Sequence, residues 1–327
     1  MGTNVKPQTN INRLELHKCI PLDVPLVVYV EVSGFCNFKC KFCPHYISPE
    51  NLVKGNMSLD LFKKMINDIK MLGRVSLLRY CGTGESLLNK HFLEMTRYAY
   101  EAKVADRYEL VTNGFLINNK SSILLPRYLD RIIISVEGLD DQDYITYAGA
   151  KVNIHEMIEK FTVLFNNRKE CIIHIKTHNH AVEGEGRLEK FYQMFGSICD
   201  EIYVENLVQL WPETDSNLGV EAGFRFGGGN AKSRKVCPQP FKSMQVQANG
   251  EVVPCCIDWK RVNVIGDITK MSLREIWDGD LMRSLRLKHL GGQKDITLPC
   301  ADCTMNDYSD PDDIDDFVEE ILARVTR

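Results

Sequence analysis

The sequence predicts an α/β protein built on a parallel sheet, and three observations carry that expectation. Apolar runs of strand length alternate with longer amphipathic stretches from residue 25 to about residue 210. Glycines and polar side chains gather where those runs end, the side on which parallel β/α units carry their ligands. The chain has 327 residues, 44% hydrophobic and 26% charged, which is enough to bury a sizeable core.

The elements follow in order. "PLVVYVEV" (25–32) reads as a first strand and is too short to span a bilayer. "SLDLFKKMINDIKML" (58–72) has helical periodicity, with Ser58 as its N-cap. "SLLRYCGTGESLL" (76–88) is a strand running into a glycine turn, and "YELVTNGFLI" (108–117) a strand followed by a Thr-Asn-Gly turn. "RIIISVEGLD" (131–140) is a buried strand ending in Ser135 and Glu137. "CIIHIKT" (171–177) and "DEIYVEN" (200–206) add two more.

Charge and targeting signals narrow the function. A formal net charge of −4 leaves no basic footprint for nucleic acid. The start "MGTNVK" has no signal-peptide pattern, and Lys6 stands where a myristoylation motif wants Ser or Thr. A cytoplasmic protein with no membrane partner is expected. There, 12 cysteines read as metal ligands or catalytic thiols rather than disulfides.

"EVSGFCNFKCKFCPHY" (31–46) concentrates three of them, Cys36, Cys40 and Cys43. A zinc site would need a fourth ligand, for which His45 is the nearby candidate. An iron–sulfur cluster fits better, since thiolates are its usual ligands. Three thiolates on a four-iron cluster leave one iron open, and an open iron is a binding site.

The CxxxCxxC spacing, with aromatic Phe42 before the last cysteine and an apolar strand before the first, resembles the radical S-adenosylmethionine superfamily. The resemblance implies a partial (β/α)6 TIM-like barrel. It also implies that the open iron chelates S-adenosyl-L-methionine, whose reductive cleavage yields a 5′-deoxyadenosyl radical that abstracts hydrogen from C–H bonds. An electron donor of flavodoxin or ferredoxin type is implied as a partner. Gly82, Thr83, Gly84 and Glu85 are similar to the family's GGE motif, which holds the cofactor's amino group. Thr112, Asn113 and Ser135 match turns after the third and fourth barrel strands, where turn chemistry alone is the competing explanation. Many relatives carry an arginine after the fourth strand, where this chain has Tyr147.

From residue 211 the texture changes to a Gly-rich, polar stretch read as a linker or mobile loop. Cys237, the Asn249-Gly250 hairpin signal, Cys255 and the pair Cys300 and Cys303 follow. This pattern resembles the SPASM/twitch extension of radical S-adenosylmethionine enzymes, in its shorter form with one auxiliary cluster, and "GDITKMSLREIWDGDLMRSLR" (266–286) resembles its turn and helix. The resemblance gives two 4Fe–4S clusters in all, with Cys237, Cys255, Cys300 and Cys303 closing the second; a four-cysteine zinc ribbon is the structural alternative. Cys256 and Cys81 remain as buried small residues or as hydrogen-atom donors to a substrate radical, whereas Cys19, Cys171 and Cys199 carry no motif.

The expected organisation is an extension (1–24), the barrel (25–225), the auxiliary domain (226–304) and an acidic tail (305–327). The tail's eight carboxylates from Asp307 to Glu320 are expected as a solvated face, with a helix from near Pro311. Twitch relatives act on sugars and aminocyclitols, and 24 residues before the first strand are too few for a peptide-leader-binding domain. The expected function is therefore oxidation of an alcohol on a small carbohydrate-like substrate, with the auxiliary cluster as electron acceptor. Epimerisation through a cysteine donor, modification of a ribosomally made peptide, and a non-enzymatic iron–sulfur electron carrier are the alternatives. His174, Lys176, His178, Glu205 and Asn206 either face substrate groups or reflect strand alternation on a wet face.

Overall fold

A computed structural model describes residues 3–7, 14–208, 223–293, 299–309 and 312–326. The expected linker falls partly outside them, at 209–222. The strands are β1 (Asn4–Val5), β2 (Val27–Val30), β3 (Val75–Tyr80), β4 (Ala105–Thr112), β5 (Arg131–Ser135), β6 (Ile172–His178), β7 (Glu201–Glu205), β8 (Ser243–Val246), β9 (Glu251–Val253) and β10 (Gly266–Asp267). They form one sheet in the order β1-β7-β6-β5-β4-β3-β2-β8-β9-β10. β2 to β7 are parallel neighbours in sequence order, the six strands of a partial β/α barrel.

Period-two alternation divides each barrel strand between two environments. Val28, Val30, Leu78, Leu110, Ile132, Ile134, Ile173, Ile175 and Ile202 are buried in one hydrophobic core. The same core takes the apolar faces of helices Leu59–Leu72, Phe92–Ala102, Ile154–Asn167 and Arg187–Phe195. Ser58 caps the first of these, its hydroxyl accepting from Leu61 N at 3.1 Å.

The opposite, concave face is polar. Tyr29, Arg79 and Glu109 are cross-strand partners there, and Arg79 Nη2 donates to Glu109 Oε2 at 2.5 Å. Farther round, Glu201 accepts from Arg131 and from Lys6 (3.1 Å) and meets His174 Nδ1 at 3.2 Å. His174 thus belongs to a structural network at the base of the concave face. Each charge in it has a partner, the condition under which buried charges are tolerated.

The segments expected as separate units are joined to this sheet. β1, within the N-terminal extension, pairs in parallel with β7. β8 pairs in parallel with β2 and turns through Gly250 (φ 95°) into antiparallel β9, so the C-terminal hairpin extends the barrel sheet. Residues 266–286 hold two helices instead of one, Leu273–Trp277 and Asp280–Leu290, because Asp278-Gly279 breaks the run.

The acidic tail is docked in part, while Asp316, Glu319 and Glu320 are exposed as expected. Asp312 pairs with Lys242, Asp313 with Lys232, and the Asp315 carboxylate accepts from the backbone N–H groups of Lys235 and Val236, both at 2.9 Å. Its helical stretch begins as a 3-10 turn at Asp315–Phe317 and continues as an α-helix over Val318–Val325, while Pro311 lies outside the described residues. Ile314 and Ile321 join Leu16, Ile20, Val236, Phe241 and Leu290 in a second hydrophobic cluster. Replacing fully buried Ile321 by Ala should cost ~2–5 kcal/mol in urea unfolding. Because the cluster abuts the segment leading to Cys237, the variant should also lose iron from the auxiliary set before the first set; an unchanged unfolding midpoint would refute this packing.

Candidate active site

The loop bearing Cys36, Cys40 and Cys43 leaves the C-terminal end of β2 and is held from outside by backbone bonds. Lys39 N donates to Ala148 O (2.8 Å) and Lys41 N to Tyr147 O (2.9 Å). Tyr147 thus contributes its carbonyl to the cysteine loop, and its hydroxyl donates to His180 O at 3.2 Å. Burial is the first cause that raises the three thiols, Cys36 to about 11, Cys43 to about 12 and Cys40 well above its ordinary value. Cys36 and Cys43 each add to the effect on Cys40. Three thiols on one loop that resist ionisation suit a centre whose irons supply the missing positive charge.

Beside this loop stands the Gly-Thr-Gly-Glu turn. Glu85 is buried and its carboxylate is oriented by three donors: Thr112 Oγ1 (2.9 Å) and Leu87 N (3.0 Å) on Oε1, and Asn113 N (2.9 Å) on Oε2. Burial raises its pKa against these hydrogen bonds. Asn113 Nδ2 donates to Asn37 Oδ1 at 2.9 Å and lies 3.9 Å from Cys36 Sγ. The two motifs are therefore one structural unit. Gly84 is required by close packing, since a Cβ there would lie 2.0 Å from Ser33 O. At Gly82 a Cβ would strike the Glu31 side chain, whose Oε2 accepts from Thr83 N (2.7 Å) and Thr83 Oγ1 (2.8 Å). Glu31 has no motif signal of its own beyond being an acid within an apolar strand.

A cavity of about 330 Å³ opens at the C-terminal ends of β5 to β7. Phe42, Cys43, Gly82 and Ser135 line it on the cysteine-loop side. Glu137, Lys176, His178, Glu205 and Asn206 form its polar wall, and Val208 and Phe226 add apolar surface. The late-strand polar residues thus separate: these line the cavity, while His174 lies in the basal network. Lys176 Nζ donates to Glu205 Oε2 at 2.6 Å. His178 is wedged by the rings of Phe42 (5.3 Å) and Tyr147 (4.8 Å) and is held down to about 4 by burial. Its Nδ1 accepts from Ala181 N at 3.2 Å, which places the proton of the neutral ring on Nε2. Burial pushes Glu137 up to about 7, with Lys176 opposing and Glu205 adding to the shift.

Cys237, Cys255, Cys300 and Cys303 line a second cavity, of about 30 Å³, together with Pro240 and His289. Four thiols on one cavity suit a cluster with every iron closed. Cys256 does not line it, and neither Cys256 nor Cys81 lines the larger cavity. These two thiols lie near one another beside Arg79, and burial pushes Cys81 up to about 12. The sequence had no means of bringing them together.

Residues 30–182 match the radical SAM superfamily, and residues 237–304 match SPASM, an iron–sulfur cluster-binding domain. The chain belongs to the radical SAM superfamily and carries a SPASM-type domain; it is an enzyme whose cofactors are S-adenosylmethionine and two 4Fe–4S clusters. Among curated relatives, the tungsten-containing aldehyde ferredoxin oxidoreductase cofactor-modifying protein of Pyrococcus furiosus is 23% identical, covering 86% of this chain and 88% of its own. The S-adenosyl-L-methionine-dependent 2-deoxy-scyllo-inosamine dehydrogenase of Niallia circulans is 22% identical over 85% and 92%. In fold, the chain resembles BtrN in complex with AdoMet and 2-DOIA (TM-score 0.57, 19% identity, 86% and 93% covered). It also resembles Streptococcus suis SuiB bound to precursor peptide SuiA (TM-score 0.65, 14% identity, 83% and 69% covered). No helix among the described residues is long and apolar enough to cross a membrane.

Two outcomes are expected. Reconstituted protein should hold about eight irons, and about four after Cys36, Cys40 and Cys43 are replaced by Ala; stoichiometric zinc in the remaining set would refute the auxiliary cluster. Glu85→Ala should keep its iron but weaken S-adenosylmethionine binding by roughly 1.5–3 kcal/mol in equilibrium titration. Unchanged affinity would remove Glu85 from the cofactor site.

Proposed function

We propose that this protein is a dehydrogenase that converts a secondary alcohol of a small carbohydrate-like substrate to a ketone. The observation that carries the reading is the set of four thiols, Cys237, Cys255, Cys300 and Cys303, lining one cavity. When bound, S-adenosylmethionine with its open-iron cluster supplies a hydrogen-abstracting radical, and a fully ligated auxiliary cluster supplies an electron acceptor. The name of the Niallia circulans relative supports the same substrate class.

The chain's own residues do the rest. Cys36, Cys40 and Cys43 would hold the first cluster, with Glu85 on the cofactor's amino group and Phe42 and Ser135 at the adjoining cavity wall. The cavity, about 330 Å³, lies at the small end of the range for small-molecule sites. Val208 and Phe226 add apolar surface to its lining. An alcohol becoming a ketone gives up a hydrogen atom, an electron and a proton. Glu205 is the proton's acceptor: one oxygen is engaged by Lys176, and the other can receive the substrate hydroxyl. An external donor of flavodoxin or ferredoxin type would reduce the first cluster.

Inversion would instead need a thiol facing the substrate. Cys81 and Cys256 lie off the cavity, which favours oxidation. The test is an anaerobic reaction with S-adenosylmethionine, dithionite and 2-deoxy-scyllo-inosamine, comparing wild type with Cys300→Ala/Cys303→Ala. Wild type should form 5′-deoxyadenosine and a ketone; the variant should form 5′-deoxyadenosine with the ketone strongly reduced. Retained ketone formation in the variant would overturn the auxiliary cluster's role. An inverted product carrying solvent deuterium would establish epimerisation.

A further inference from the structure

Glu137 stands apart from the other carboxylates around the site. It is 7% exposed, follows β5 two residues after Ser135, and opens on the cavity. Among the described residues its carboxylate accepts no hydrogen bond, and the basic atom within ion-pair distance is His178 Nε2, at 3.9 Å. His178 is neutral, so it can offer a weak contact and no counter-charge. Lys176, the cation on the same wall, is engaged by Glu205. The cavity therefore holds one enclosed carboxylate that no hydrogen bond or cationic ion pair among the described residues completes, with Lys176 acting on it only from a distance, an arrangement that is costly unless a ligand completes it.

Glu85 offers a contrast. Its carboxylate is fully engaged by Thr112, Asn113 and Leu87, and it does not line the cavity. The two acids occupy different places and have different surroundings. If Glu85 serves the cofactor's amino group, Glu137 is left for a second one.

We infer that Glu137 determines substrate specificity by receiving a protonated amine, so that the substrate is a cationic amino sugar or aminocyclitol rather than a neutral polyol. The inference rests on the small polar substrate proposed above and names its charge. The ammonium replaces the missing counter-ion at Glu137, while Lys176, Glu205 and Asn206 remain for hydroxyl groups. Asn206 is fixed for this by its own side chain, whose Nδ2 donates to Arg225 O at 3.0 Å, leaving Oδ1 to accept.

The experiment is equilibrium binding to cluster-loaded, full-length protein, with S-adenosylmethionine present and no reductant, so that no turnover contributes. The probes are 2-deoxy-scyllo-inosamine, which carries an amine, and scyllo-inositol, which does not. Wild type should bind the amine at least about tenfold more tightly, the size of a charge-assisted contact. Glu137→Gln, equal in shape but uncharged, should abolish that difference and leave S-adenosylmethionine affinity and cluster absorbance unchanged. The inference is overturned if wild type binds both probes equally or neither, or if the difference survives in Glu137→Gln. It is likewise overturned if the variant loses S-adenosylmethionine affinity while keeping its preference for the amine, which would assign Glu137 to the cofactor. Assay of ketone after adding reductant separates the two readings: an intact binding preference without ketone defeats alcohol oxidation alone.

Discussion

One ladder of backbone hydrogen bonds relates the two cysteine sets. β2 pairs with β3 on one side and with β8 on the other, Val27 to Val30 facing Ser243 to Val246 in parallel register. Glu31 N extends that pairing to Val246 O at 2.9 Å. The first cysteine loop springs from the end of β2, and Cys255 follows β9, the return strand of the β8 hairpin. The relative placement of the two centres is therefore set by strand pairing. Side chains lock it from below: Trp277 Nε1 donates to Leu22 O (2.9 Å) and Arg274 Nη2 to Leu72 O (2.5 Å).

The concave face shows a gradient of electrostatic completion from base to mouth. At the base, Arg79 with Glu109, and Arg131 and Lys6 with Glu201, close on themselves. Higher up, Lys176 and Glu205 still pair, and on the cavity wall Glu137 meets neutral His178 at 3.9 Å without a cation in ion-pair distance among the described residues. Rigid lower layers of this kind hold a reactive upper layer in place. The same alternation that buries Val28 and Val30 on the helical side lines the inside with groups able to bind polar ligands.

What could be read in the sequence was what depends on neighbours along the chain. The cap at Ser58, the hairpin turn at Gly250 and the three-cysteine loop each have a local physical cause, so each has a local signature. Contacts between distant segments leave none. Nothing near Tyr147 announces that its carbonyl supports Lys41, nor does "DDID" (312–315) disclose that its carboxylates grip residues 232–242. Cys81 and Cys256 looked alike as donors in sequence, and only their position away from the cavity distinguishes a thiol in the wall from one facing a substrate. Glu137 was visible as the end of a strand, but its lack of a cationic partner is a property of four strands together.

The pairing of β2 with β8 also sets an order of events during synthesis. β2 leaves the ribosome early, and its second neighbour is encoded some two hundred residues later. At roughly 5–20 residues per second, β2 waits on the order of ten to forty seconds with one row of amides and carbonyls uncovered. An apolar strand with an open edge is a template for unwanted pairing, and the cysteine loop beside it is nascent as well. The edge of β2 is covered only when the auxiliary hairpin arrives.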